Sequence, residues 1–292
     1  MGTGDLMKYI NLKIKQQKKI LVHLIAKFEK DDVVALASQL AYYLVLSFFP
    51  FMLFLMTLVG FSDLSSSEIL EALSVILPKT ILELTQSTIK EVSDNQYTGL
   101  LGLSILLMIW TASSAFKAII KSVNKAYNLK ENRSFIKLSI ISMLGILALA
   151  LIIILALTML VFGNVIGEYI KSSNQFYNII LIIWNIFRYA FIFIIMILIF
   201  ASIYRLAPAK KLTWKEVISG SIFSTIGWIV VSFGFSFYID NFNNYTRFYG
   251  SLGAVFILMT WLFLISMIII IGVEINFVTV EVKNKMHLLD YK

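Results

Sequence analysis

Six long apolar stretches constrain the fold of this chain more than any other feature. They span residues 33–61, 98–121, 136–163, 177–204, 215–238 and 251–278. A transmembrane helix needs about 20 mostly apolar residues to cross roughly 30 Å of hydrocarbon, and every stretch is long enough. All six are too long and too uniformly apolar for the alternating strands of a membrane β-barrel. The sequence therefore predicts an all-α, polytopic membrane bundle with six transmembrane helices.

The composition argues against the common soluble classes of protein. Apolar residues make up 59% of the 292 residues and charged residues 14%, whereas soluble domains average about 45–50% and about 25%. A soluble enzyme, a DNA-binding domain and a disordered protein are therefore disfavoured. Cys is absent, and His23 and His287 are the only histidines. We therefore expect no disulfide, no metal site and no cofactor.

The basic residues predict the orientation of the bundle. Most of the 25 Lys and Arg residues lie in the N-terminal segment, in the links after the second and fourth spans, and in the C-terminal tail. Such residues crowd the cytoplasmic side of membrane proteins, so we expect both termini to be cytoplasmic. The same rule explains the net charge of +8 without nucleic acid. Anionic lipid headgroups are the expected partners of these lysines, and protein partners and oligomeric state stay open.

Three regions follow from this topology. Residues 1–32 read as a basic cytoplasmic segment, in which 6–29 form an amphipathic helix on the inner membrane surface. Residues 33–278 read as the six-span domain and 279–292 as a cytoplasmic tail. Within the domain, residues 64–93 predict two short amphipathic helices on the outer face, hinged at Pro78. Capping of the bundle is their expected role, and a moving gate is the alternative.

Polar side chains within the spans mark a candidate substrate cavity. In the first span, Gln39, Tyr43 and Ser47 recur at four-residue spacing and so share one helix face. Polar groups at membrane depth usually face protein or water, although ordinary helix packing through hydroxyl residues is an equal alternative. The candidate cavity residues are Ser38, Gln39, Tyr42, Tyr43, Ser47, Trp110, Ser113, Arg188 and Glu274.

Two charges inside the spans call for partners. Glu274 lies near the cytoplasmic end of the sixth span, where Lys117 and Arg205 are the expected ion-pair partners. Arg188 lies only about 16 Å into its span, too far from Glu274 for a direct bond. We expect Arg188 to face a cavity and to meet an anionic substrate group. The alternative is that carbonyl groups, Asn185 or a Tyr hydroxyl satisfy it.

Proline and glycine predict kinks and close helix contacts. Pro50 removes a backbone hydrogen bond from the first span and so predicts a kink there. Small residues in the sixth span permit close approach of its neighbours. The candidate positions are Pro50, Gly250, Gly253 and Gly272.

Several sequence blocks resemble the YihY/BrkB family of bacterial inner-membrane proteins. They are ALASQLAYYLVLSFFPF at 35–51, WTASSAFKAIIKSVNKAYNLKENRSF at 110–135, YRLAPAKKLTWKEVISGS at 204–221 and FYIDNFNNYTRFYGSLGAVFILMTWLFLISMIIIIGVEIN at 237–276. The resemblance implies six spans, cytoplasmic termini, a bacterial cytoplasmic-membrane location and a role in the cell envelope. It implies no catalytic residues. Ala209 departs from the polar residue that the resemblance implies after Pro208.

The sequence is compatible with three functional hypotheses. The first is a transporter or flippase for a lipid or another anionic amphiphile, with the polar stripe and Arg188 as its headgroup track. The second is a membrane scaffold that recruits envelope machinery without transport. The third is an enzyme, including the ribonuclease BN name that some family members have carried. The sequence has no acidic metal cluster on a soluble face, and transport is the hypothesis we adopt.

A single introduced cysteine tests the predicted orientation, because the chain has none of its own. We expect Lys292→Cys to react with a membrane-impermeant maleimide only after the cells are permeabilised. Ser65→Cys, in the segment predicted to lie outside, should react in intact cells. Labelling of Lys292→Cys in intact cells would overturn the orientation.

Overall fold

The computed structural model describes residues 18–61, 82, 101–147, 177–242 and 251–290. These residues are almost entirely helical and include no strand. The helices are α1 (18–30), α2 (Val33–Phe61), α3 (Leu101–Ala126), α4 (Phe135–Leu147), α5 (Tyr177–Leu206), α6 (Trp214–Phe242) and α7 (Ser251–Asp290). The predicted all-helical class is confirmed.

Four of these helices are long and apolar enough to cross a membrane. The qualifying segments are Ile105–Ala126, Ile182–Leu206, Trp214–Ile239 and Val255–Asn284, and they correspond to the second, fourth, fifth and sixth predicted spans. The first and third predicted spans are represented by shorter apolar helices, Val33–Phe48 and Phe135–Leu147, which do not reach this length. A helical membrane bundle is thus supported, whereas the count of six spans and the orientation of the termini stay predictions.

Some predicted features lie outside the described residues. They are the first part of the N-terminal amphipathic segment, the outer helices predicted at 64–93 apart from residue 82, residues 148–163 of the third predicted span, and Gly250. Pro50 lies within α2, and Gly253 is buried on α7. α7 continues as a helix to Asp290, so most of the segment predicted as a tail at 279–292 is helical.

A sharp turn separates α1 from α2. Asp32 adopts a φ of 51°, a left-handed conformation that Asp tolerates better than most residues. Its carbonyl then accepts the Leu36 amide at 3.0 Å and so begins the hydrogen-bond ladder of α2. The turn changes the chain direction at the end of α1, which allows α1 to pack against other helices instead of continuing α2.

α7 is the central helix of the described bundle. It packs against α2 and α6, and more sparsely against α3, while α2 packs on α3 and α5 packs on α6. Leu258, Ile270 and Val273 of α7 are buried in the resulting core. Large apolar side chains also cover the outside, among them Leu106, Ile186 and Phe233. An apolar exterior of this kind fits a protein whose solvent is lipid.

Two glycines bring α6 and α7 into backbone contact. A Cβ on Gly220 would collide with the Gly272 carbonyl oxygen, and one on Gly272 would collide with the Ser224 hydroxyl. The close approach lets the Gly220 amide donate to Oδ1 of Asn276 at 2.6 Å. It also lets the Tyr204 hydroxyl reach Ser224 at 2.6 Å and the Ile269 carbonyl at 2.9 Å. Small residues here therefore serve interhelical hydrogen bonding as well as packing.

Gly220→Ala tests this contact. We expect a loss of about 1–3 kcal/mol of stability because the added methyl meets backbone, which cannot rotate away. Gly234→Ala on the same helix is the matched control, since a Cβ there has no neighbour within 4 Å, and it should stay within about 0.5 kcal/mol of wild type. Thermal unfolding in detergent measures both, and equal stability of the two variants would contradict the packing.

Candidate functional site

A buried ionic cluster lies where α1, α3 and α7 meet. Nζ of Lys27 is 2.7 Å from Oδ2 of Asp31 and 3.7 Å from Oε2 of Glu274. The three residues are only 7%, 3% and 1% exposed. Charges so well removed from water persist in proteins only when they are paired, so this cluster is a specific feature of the fold.

Helix spacing and contacts at the helix ends position Lys27 and Asp31 in the cluster. Lys27 and Asp31 are four residues apart and therefore share one face at the end of α1. Lys27 also donates to the carbonyl oxygen of Ala126 at 2.7 Å, at the C-terminal end of α3, where the helix dipole favours a cation. The Phe277 ring lies 4.2 Å from the same ammonium. Lys27 thus joins three helices.

Tyr127 borders the cluster from the end of α3. Its ring meets Phe277 edge-on with centroids 5.3 Å apart, and its hydroxyl is buried. Burial raises the pKa of Tyr127, and the negative charges of Glu216 and Glu274 raise it further. The hydroxyl therefore stays protonated and available as a hydrogen-bond donor beside the carboxylates.

A second polar network ties two loops together near the same end of the bundle. Asn124 donates to Oε2 of Glu131 at 2.8 Å and accepts the Ala209 amide at 2.8 Å. Arg133 holds Glu131 and also donates to the Ala207 carbonyl at 3.1 Å. The loop after α5 is thereby fixed to the loop after α3. Ala209 contributes through its backbone amide, which any residue except Pro could supply.

The Arg133 guanidinium sets the charge of this network. Its hydrogen bonds to the Glu131 carboxylate lower the pKa of Glu131 to about 2. Because this pKa lies below the unfolded value of about 4.3, the stabilisation is present above that value and is lost as the pH falls toward 2. The loop connection is therefore intact throughout the physiological range.

A row of three lysines follows one face of α3, and we call it the lysine face. Lys117, Lys121 and Lys125 are spaced four residues apart, which places them on consecutive turns. Lys125 pairs with Asp32 at 2.9 Å. Lys121 instead donates to the Gln39 amide oxygen at 2.9 Å, and Lys117 lies 4.9 Å above the Phe135 ring. Of these three partners, only Asp32 carries a negative charge.

The other predicted cavity residues are spread over several environments. Ser38 and Ser47 donate to carbonyls of their own helix, and Tyr42 and Trp110 are 59% and 69% exposed. By contrast, three residues point inward or sideways: Tyr43 packs against the core, Ser113 is buried, and Gln39 meets Lys121. Within the described residues, these side chains of α2 and α3 therefore have different surroundings, and the candidate cavity stays a prediction.

Arg188 lies on a separate surface formed by α5. Trp184, Phe187 and Phe191 share its helix face and line a shallow groove around it. Successive rings stack with centroids 6.0 and 6.2 Å apart. Arg188 follows the start of α5 by about 16 Å, so this aromatic groove places a cation well inside an apolar helix.

The observed partner of Glu274 differs from the predicted ones. Lys117 contacts Phe135, and Arg205 lies 4.4 Å from the Trp214 ring and donates to the Leu212 carbonyl at 3.2 Å. The charge that reaches Glu274 is Lys27. The prediction was wrong because the segment carrying Lys27 was assigned to the membrane surface, whereas α1 docks against the bundle.

Sequence reasoning missed several residues that the structure brings together. They are Lys27, Asp31, Asn124, Tyr127 and Tyr204. The pairing of Lys27 with Asp31 could have been predicted from their spacing of four residues, because opposite charges at this spacing pair on one helix face. Among the described residues, no group of three or more His, Asp or Glu side chains is placed to hold a metal ion.

The fold and its apolar exterior define a multi-pass helical membrane protein. The family described as "Virulence factor BrkB" matches residues 24–288, and the chain belongs to this family, as its sequence blocks predicted. The chain is 35% identical over 256 residues to the "Putative ribonuclease-like protein YfkH" of Bacillus subtilis, covering 88% of this chain and 93% of that one. A "UPF0761 membrane protein" of Pseudoalteromonas atlantica is 24% identical over 260 residues, covering 86% and 82%. No solved structure matches significantly.

Two lysine substitutions separate the buried pair from an exposed one. Lys27→Met leaves two buried carboxylates without their cation, and we expect a loss of about 3–5 kcal/mol. Lys125→Met breaks the pair with Asp32, which is 70% exposed, and should cost about 0–1 kcal/mol. Thermal unfolding in detergent compares them. Equal losses would show that Lys27 does not hold α1 on the bundle.

Proposed function

We propose that the protein transports an anionic lipid or another anionic amphiphile across the membrane. The observation that carries this proposal is the lysine face of α3, where Lys117 and Lys121 have neutral partners. Within the described part of the chain, neither ammonium has a carboxylate within ion-pairing distance. Two positive charges near the end of an apolar helix form an attractive position for a phosphate headgroup.

The surroundings of the lysine face suit an amphiphile better than a free anion. Phe135 at the start of α4 lies beside Lys117, and Phe135 and Ile136 are 76% and 71% exposed. Lysine side chains at such depth extend their ammonium groups toward the headgroup layer and leave their stems in the hydrocarbon. A headgroup at Lys117 and Lys121 would therefore have apolar side chains beside its acyl chains.

Arg188 supports transport beyond simple surface binding. It places a cation about 16 Å along α5, inside a helix that is otherwise strongly apolar. A charge at this depth is costly and usually marks a route for ions or substrates. The aromatic rings of Trp184, Phe187 and Phe191 beside it offer apolar contact for a chain while the guanidinium meets a headgroup.

Reconstituted liposomes test the proposal directly. We expect wild-type protein to translocate fluorescent phosphatidylglycerol faster than phosphatidylcholine, because only the first carries a net negative charge. The double variant Lys117→Gln/Lys121→Gln and the single variant Arg188→Gln should each reduce the phosphatidylglycerol rate by about tenfold, the change that corresponds to about 1.4 kcal/mol. Quenching of the outer-leaflet fluorophore measures the rates.

Lys125→Gln is the matched control for charge removal from α3. Its ammonium is already neutralised by Asp32, so the phosphatidylglycerol rate should stay close to wild type. Absence of translocation by wild type, or equal rates for both lipids and all variants, would overturn the proposal. A stoichiometric protein partner co-purified with a non-transporting protein would favour the scaffold. RNA cleavage by rigorously purified protein would favour the activity named in the Bacillus subtilis relative.

A further inference from the structure

Buried polar atoms without hydrogen-bond partners gather around Glu274. Within the described residues, neither carboxylate oxygen of Glu274 takes part in a hydrogen bond, although the residue is 1% exposed. The hydroxyl of the neighbouring Tyr127, on which the Glu274 charge acts, is in the same condition. Buried polar atoms are nearly always satisfied in proteins, so the Glu274 carboxylate lacks a hydrogen that a bound proton would supply.

The charges of the cluster show what the ligand must supply. When all three groups are ionised, Lys27 contributes one positive charge, whereas Asp31 and Glu274 contribute two negative charges. The buried group therefore carries one negative charge in excess. A buried net charge is expensive, and binding a single positive charge removes it.

We propose that Asp31 and Glu274 form a binding site for one proton at the junction of α1 and α7. A proton taken from water adds to a carboxylate oxygen of Glu274, giving a carboxylic acid, and no other bond is made or broken. The new O–H donates a hydrogen bond to Asp31. The cluster then contains one ammonium, one carboxylate and one neutral acid, so its charges balance.

The position of Lys27 favours a proton over a metal cation. Its ammonium already contacts both carboxylates, at 2.7 and 3.7 Å, and so occupies the position from which a cation would bridge them. A sodium ion there would lie against an ammonium of the same sign. A proton resides on one oxygen and needs no separate space between the side chains.

Other charged groups lie at the same interface, and a titration must distinguish them from Asp31 and Glu274. His23, one turn before Lys27 on α1, lies 3.8 Å from Glu281 of α7. That pair is more exposed, at 47% and 29%. Glu216 of α6 acts on the neighbouring Tyr127 and is held by Thr213 at the start of α6. None of these groups shares the buried contact with Lys27.

Infrared difference spectroscopy of the full-length protein in detergent tests the site. Between about pH 8 and about pH 5, wild type should gain the carbonyl band of one buried carboxylic acid. Glu274→Gln and Asp31→Asn should each lose it, because either change leaves Lys27 with a single carboxylate partner. Glu281→Gln, the same substitution two turns further along α7, is the matched control and should keep the band.

The carbonyl band in the variants shows whether Glu274 binds the proton. A band that persists in Glu274→Gln, or that disappears equally in Glu281→Gln, would overturn it. Suppression of the band by sodium, but not by potassium at equal ionic strength, would assign the site to a metal cation and reject the proton. Because the measurement uses no lipid substrate, its result is independent of the transport assay and stands whether or not the lysine face binds headgroups.

Discussion

The lack of water in a bilayer core is the constraint on which this structure depends. Every buried polar group must find its partner inside the protein, and the described bundle concentrates such groups near one end. There the Lys27 ammonium holds α1 against α3 and α7. Asn124 meanwhile joins the loops that follow α3 and α5. The helix ends are thus fixed by polar contacts, whereas the outer helix surfaces remain apolar.

The arrangement gives α1 a structural role that its sequence disguises. Its alternating lysines resemble those of a helix lying on the membrane surface, and several of its apolar residues, such as Leu21 and Ile25, are indeed exposed. Lys27 and Asp31 face the bundle instead. One side of α1 therefore joins the interior ionic cluster while the other remains free for the membrane interface.

Positive charge is distributed over two distinct environments in this protein. Lys27 is compensated, because two carboxylates and a helix C-terminus surround it. Lys117 and Lys121 are not compensated by carboxylates within the described residues and lie near exposed apolar side chains. This difference separates a structural lysine from lysines suited to a ligand, and it underlies both the proposed headgroup site and the proposed proton site.

The sequence by itself determined the helical membrane class and the family, because hydrophobic length and motif blocks are local properties of the chain. It also indicated Gly272 as a packing position and Glu274 as a charge in need of a partner. Only the tertiary structure decided that the partner is Lys27, nearly the whole chain away. It also showed that Tyr42 and Trp110 face outward. Helix periodicity gives which residues share a face, but the direction of that face depends on how neighbouring helices pack.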